Sequence, residues 1–261
     1  MSDDIVEAAQ SLAPGRCDAA EWRLRVQLAA CYRVFAHLGW TELVFNHITL
    51  RIPGDPLAYL INPFGLNYEE VTARNLIKIG HDGAPLEPTP HHVNRAGFVI
   101  HSAIHGARAD AHCVMHTHTT AGMAVACKAG GLEHDDFYGA ELFGDVAYHA
   151  FEGITVHDEE GPRLVASLGD KHVMVLRNHG MLVCGSDVFN AFRWMWTLQR
   201  ACEVQLAADS LRGANVQLTD AVRASCATDA RAFEPRDRLE RMMFDSVLRR
   251  ARVDPASLAG A

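Results

Sequence analysis

The chain has 261 residues, 49% hydrophobic and 21% charged, enough for one large domain with a substantial core or at most two small ones. Its net charge of −8, from 24 basic and 32 acidic residues, argues against general affinity for nucleic acid or anionic membranes and leaves small molecules and copies of itself as the expected partners. Seven scattered cysteines, odd in number and without a Cys-x-x-Cys, exclude a disulfide framework and suit a reducing compartment.

The opening MSDDIVEAAQ lacks the basic and apolar regions of a signal peptide, and no segment approaches the roughly 20 apolar residues that span a bilayer. A cytoplasmic protein is expected. With no Ser/Gly-rich linker to mark a boundary, residues 1–261 read as one domain, with a helical extension from about residue 211.

The first clear element is a helix in CDAAEWRLRVQLAACYRVFAHLGW. Asp18 and Glu21 form a candidate capping box, Leu24, Leu28, Cys31, Phe35 and Leu38 repeat at helical spacing, and Gly39 ends it. Strands follow at 47–52, 57–63 and 76–80, the first two separated by the turn-forming PGDP. Residues 94–107 form a helix with His101 and His105 on one side, 112–118 a strand, and 119–130 a small-residue helix ending at Gly130-Gly131. Short strands at 145–149 and 153–158 precede a helix with Pro162 in its first turn. KHVMVLRNHGMLVCG reads as a strand broken at Asn178-His179-Gly180, where glycine lets the backbone reverse. Ser186 or Asp187 caps a long helix to about Asp209, and 236–252 is a last amphipathic helix. Strands with helices between and after them imply a layered α/β or α+β domain.

Residues two apart on a strand share a face, so His116 and His118 can both reach one divalent ion. With 15 histidines in the chain, chance alone supplies about one His-x-His, and a surface pair is the plain alternative. His179 stands just past a buried-looking strand, as a site residue or an ordinary turn residue.

Taken together, VMHTHTTAG, VLRNHG, NHITLR, INPFGLNYEE and NRAGFVIHSAIHGARADAHCVMHTH resemble the class II aldolase/adducin family over roughly residues 20–210. The resemblance implies an α/β/α three-layer sandwich around a mostly antiparallel sheet. It also implies a homotetramer with sites between subunits, and a divalent ion held by His116, His118 and His179. Zinc is the first expectation, with Fe2+ or Mn2+ as alternatives.

The chain departs from the family's sugar-phosphate enzymes where they bind phosphate. Asn46 and Gly65 are kept, but Phe64, Arg95 and Ala96 replace hydroxyl residues, so an unphosphorylated substrate is expected. Arg95 could clamp a carboxylate or simply be a surface arginine. Gly97 stands where the aldolases carry their acid/base glutamate. One turn on, His101 is a candidate acid/base or fourth ligand, or a hydrogen-bonded core histidine. Tyr138 matches a tyrosine that reaches in from a neighbouring subunit to donate a proton, or packs in the core or an interface. Trp194 and Trp196 read as packing residues.

Three functions compete. One is a metal-dependent lyase on an unphosphorylated carbonyl, 2-oxo or hydroxy acid. Another is a non-haem iron oxygenase of aldolase-like fold on an aromatic oxo or hydroxy acid. The last is a non-catalytic adducin-like interaction module, which the three retained histidines and the lack of a lysine-rich ending weigh against.

Overall fold

The structure is a computed structural model that describes residues 2–14, 18–54, 58–154, 157–233 and 235–261. After α1 (Ser2–Gln10), the long helix α2 (Ala19–Leu38) begins at Asp18, whose carboxylate accepts from the Ala20 N–H at 2.6 Å, and stops at Gly39 with φ 71°. Glu21 does not serve the expected capping box: its carboxylate is held by Arg25 at 2.7 Å and Lys78 at 2.9 Å, tying α2 to the sheet edge.

Strands β1 (His47–Arg51), β2 (Tyr59–Ile61) and β3 (Ile77–Ile79) form the expected meander, slightly shorter than the sequence pattern suggests. The PGDP turn and Leu57 fall partly outside the described residues. Next come α3 (Arg95–Ala107), β4 (Cys113–Thr117) and α4 (Thr120–Cys127). Helix α4 is capped by the Thr119 hydroxyl, and it ends at Lys128 rather than at the glycine pair, because the Lys128 backbone turns extended, with ψ 132°.

The middle of the chain adds α5 (Phe137–Glu141), β5 (Val146–His149), α6 (Gly161–Leu168), β6 (Val173–Leu176) and β7 (Gly180–Gly185). The strand expected over 153–158 does not form among its described residues: Gly153 and Ile154 lie in a bend and Asp158–Glu160 is a 3-10 turn, while residues 155 and 156 lie outside the description. Asp187, rather than Ser186, caps α7 (Val188–Asp209) by accepting from the Asn190 N–H at 2.8 Å. Helices α8 (Asp220–Ala232), α9 (Arg236–Ala251) and α10 (Pro255–Ala259) complete the chain.

Among the described residues the strands form one seven-stranded sheet, ordered β3-β2-β1-β4-β7-β6-β5, antiparallel throughout except for the β5–β6 pair. Period-two alternation sorts the side chains onto two faces. Ile48, Leu50, Met115, Val173, Val175 and Val183 meet α2, α4, α7 and α9 on one side. Val114, Met174, Leu176 and Leu182 meet Ile100 and Ile104 of α3 and Leu164 and Leu168 of α6 on the other. The result is the α/β/α three-layer sandwich.

This alternation fixes where the histidines go. His47 lies opposite His116 across the β1–β4 ladder, and His116 lies opposite Leu182 across β4–β7. Ile48 and Met115 belong to the α7 face, so His47, Thr49 and His116 must turn toward α3. No helix among the described residues is long and apolar enough to cross a membrane.

Candidate metal centre

His116 and His118 stand at the outgoing end of β4, and His179 sits in the turn between β6 and β7. In that turn Asn178 takes the left-handed conformation, with φ 55°. The glycine that follows serves a different purpose from the one expected: a Cβ at Gly180 would stand 2.5 Å from the Thr117 carbonyl oxygen and 2.9 Å from the His118 ring. Gly180 therefore supplies room for the turn to close on the two β4 histidines, while asparagine makes the reversal.

The three histidines offer one ligand nitrogen each within 4.8 Å of one another. The Nδ1–H of His116 donates to the Met181 carbonyl at 2.9 Å. A carbonyl only accepts, so the tautomer is set and Nε2 carries a lone pair. His116 Nε2 and His118 Nε2 face each other at 2.7 Å. Two imidazole nitrogens so placed need a proton or a cation between them, and with His179 beside them the donor set suits a divalent ion. Burial pushes His116 well below the usual imidazole range and His179 down to about 4, and it lowers His118 against the opposing pull of Glu42. All three are neutral ligands near pH 7.

The histidines open onto a cavity of about 410 Å³ lined also by Phe45, His47, Asn94, Gly97, Ile100, Met123, Phe151, Gly153, Ile154 and Asn178. No charged side chain is among these described residues.

A fourth imidazole, His47, stands beside the three without any sequence pattern to mark it. It is 4% exposed, and its ring centroid is 5.3 Å from that of His116 and 4.3 Å from that of His101. A Cβ on Gly97 would meet Cε1, Nδ1 and Cγ of His47 at 2.6 to 2.7 Å. The imidazole thus occupies the space into which a side chain at position 97 would project.

His101 lies behind His47, 1% exposed and outside the cavity lining. Its Nδ1 is 2.7 Å from Thr49 Oγ1, which is 2.8 Å from His105 Nε2, and His105 Nδ1–H donates to the Ala111 carbonyl at 2.8 Å. That last bond fixes the direction of the chain: His105 Nε2 accepts from Thr49 Oγ1–H, and Thr49 accepts from His101 Nδ1–H. His101 Nε2 is left with a lone pair, buried and without a partner, like Nε2 of His47 beside it.

Other candidate residues are scattered. Asn46 is buried with both amide atoms unpartnered, and Gly65 has φ 99°. Phe64 is 37% exposed and its ring lies 6.4 Å from that of Phe45, at the cavity mouth. Arg95 is not brought to the histidines; it lies 3.5 Å from Asp158 and lines a separate cavity with His81 and Ser102. Tyr138 lines another cavity with Arg193 and Trp196, so within one chain it does not face the centre. Trp194 stacks on His172 at 5.0 Å, a packing role.

Known proteins place this geometry. The sequence profile described as Class II Aldolase and Adducin N-terminal domain matches residues 26–206. The chain belongs to the class II aldolase and adducin family. It is 47% identical over 192 residues, 74% of each chain, to a Pseudomonas aeruginosa protein named "Putative aldolase class 2 protein". Alpha-adducin of Mus musculus is 44% identical over 72% of this chain and 26% of its own length. Among solved structures, an aldolase II superfamily protein from Pseudomonas syringae superposes with a TM-score of 0.86 at 39% identity, over 93% of this chain and 98% of that one. L-fuculose 1-phosphate aldolase from Glaciozyma antarctica gives 0.77 at 27%, over 94% and 96%.

The buried histidines make stability depend on acid. His105 is pushed down to about 3 by burial and His47 to about 4, while both take up protons near pH 6.5 in the unfolded chain. The unfolded state therefore binds more protons below pH 6.5, and stability, fully present above that pH, is lost as pH falls toward the folded values. In metal-free protein the unfolding free energy from urea titration is expected to drop steeply between about pH 6.5 and 4, by about 1.4 kcal/mol per pH unit for each such histidine. A flat profile across that window is incompatible with neutral buried histidines.

Proposed function

We propose that the protein is a metal-dependent lyase that cleaves a carbon–carbon bond, by retro-aldol reaction or decarboxylation, in an unphosphorylated 2-oxo or hydroxy acid. The observation that carries this reading is the convergence of three neutral imidazoles on one point in a cavity with no charged side chain among its described lining residues. A divalent ion held by His116, His118 and His179 would supply positive charge that draws electrons from a bound carbonyl. Zinc is the preferred ion, with Fe2+ or Mn2+ alternatives.

The chain's residues supply the rest. Three neutral ligands offset none of the ion's charge, so the missing negative charge belongs to the substrate, which favours a carboxylate with an adjacent oxygen. Asn46 and Gly65 lie on the segments that match the family's phosphate-binding motifs, while Phe64 puts an apolar ring there and no lysine or arginine is among the described residues that line the cavity. The place a glutamate would fill at position 97 is taken by the imidazole of His47, backed by His101; these two are the candidates for proton transfer. Tyr138 is assigned to a neighbouring subunit's site in a homotetramer.

The test is elemental analysis of protein purified without added metal, paired with turnover of a panel of 2-oxo and hydroxy acids with and without oxygen. Zinc with oxygen-independent cleavage is expected. Iron with oxygen consumption would transfer the reading to an iron oxygenase, and a chain without metal or turnover to an adducin-like interaction module.

A further inference from the structure

Five large apolar side chains, four lining the histidine cavity and one beside them, stay exposed. Phe45 is 50%, Phe64 37%, Met123 37%, Phe151 52% and Ile154 78% exposed. Single exposed apolar residues need no explanation, but a convergent patch does. These come from separate segments: the approach to β1, the loop after β2, helix α4 and the loop after β5. Four of them line the cavity itself, and the ring of the fifth, Phe64, lies 6.4 Å from that of Phe45 in a tilted pair.

The patch is continuous with the ligand histidines, since the ring of Phe151 lies 6.3 Å from that of His179. At about 410 Å³ the cavity falls within the roughly 300–1,000 Å³ range of pockets for drug-sized ligands, more than a three-carbon oxo acid fills. Among the described residues no lysine or arginine lines it to meet a charged tail.

We propose that the substrate joins a chelating carboxylate head to a bulky apolar tail, and that Phe45, Phe64, Met123, Phe151 and Ile154 form the seat of that tail. The substrate class is thus a 2-oxo or 2-hydroxy carboxylate with a bulky apolar substituent, for which a phenyl group serves as the probe. This rests on the metal reading of His116, His118 and His179, which the experiment checks separately.

The probes are acetohydroxamate and benzohydroxamate, which chelate through the same group and differ only in a methyl or a phenyl tail. Titration calorimetry with the zinc-loaded full chain should show benzohydroxamate binding about ten-fold tighter or more. Phe151→Ala and Phe45→Ala, both at exposed positions, should each cut that preference to about three-fold or less. Acetohydroxamate affinity, zinc content and oligomeric state should not move. Equal affinities in the wild type, or a preference that survives in both variants, would overturn the tail seat while leaving the metal centre standing. A change of assembly in the variants, seen by light scattering, would overturn it in favour of an interface between copies. Wild-type protein that takes up no zinc in the preceding elemental analysis removes the centre itself, and the tail seat with it.

Discussion

His116→Ala protein is expected to carry almost no divalent ion after purification, whereas the wild type carries close to one per chain. His116 is the most buried of the three candidate ligands, and the Met181 carbonyl locks its free nitrogen toward the other two. Removing the partner of a ligand histidine typically lowers metal affinity 10- to 100-fold, and removing the ligand itself should cost more. Elemental analysis and competition with a coloured chelator measure it. The hydrogen-bond partner gives an internal control, because the Met181 carbonyl is backbone and survives the substitution. Full occupancy in His116→Ala would refute the ligand assignment. His101→Gln leaves all three ligands in place, and its metal content should stay within a few-fold of wild type.

The second large effect is expected at position 97. Placing there the glutamate that the resemblance to aldolases implies should harm this chain, because its Cβ alone would stand 2.6 Å from the His47 ring. The ring cannot swing aside freely, since it is flanked by His101 and His116. Overpacking of this kind costs about 1–3 kcal/mol, and a carboxylate pressed into the same space adds its desolvation. Gly97→Ala should therefore lose about 2 kcal/mol in urea denaturation and Gly97→Glu more. Adding His47→Ala to Gly97→Glu should recover at least about 1 kcal/mol relative to simple additivity. Additive losses in the double variant would show that the two positions do not compete for one space.

That competition explains which parts of the centre were legible in the sequence. His-x-His and Asn-His-Gly are local patterns: strand period two aligns His116 with His118, and a turn presents His179 at a strand end. His47 carries no such pattern. Its importance depends on the absence of a side chain fifty residues later, which only the packing of α3 over β1 brings beside it. His101 and His105 read correctly as one side of a helix, but their partner Thr49 lies on another element, so the hydrogen-bond chain was invisible.

The sheet and the long helices followed the apolar pattern closely, α7 to the residue at its far end. Helix α8 did not, because its sequence DAVRASCATDARA has no apolar stripe and only Ala227 among its residues is fully buried. It is held by packing on α5, whose residues Phe137–Glu141 were themselves too short a run to show periodicity. Helix α1 likewise gains its place from α2, α9 and α10 rather than from its own signal.

The His101–Thr49–His105 chain also acts on the alignment of the sheet. A one-residue slip of β1 along β4 would turn Thr49 and His47 into the aliphatic layer beneath α7 and lay Ile48 and Leu50 against imidazoles. Apolar burial alone disfavours that slip. The polar chain adds the loss of two directed bonds and leaves two ring nitrogens, His101 Nδ1 and His105 Nε2, without partners away from water. Imidazoles packed beside the candidate metal centre thus also select which of two competing strand alignments survives folding, and Thr49→Val should blur that choice without touching His116, His118 or His179.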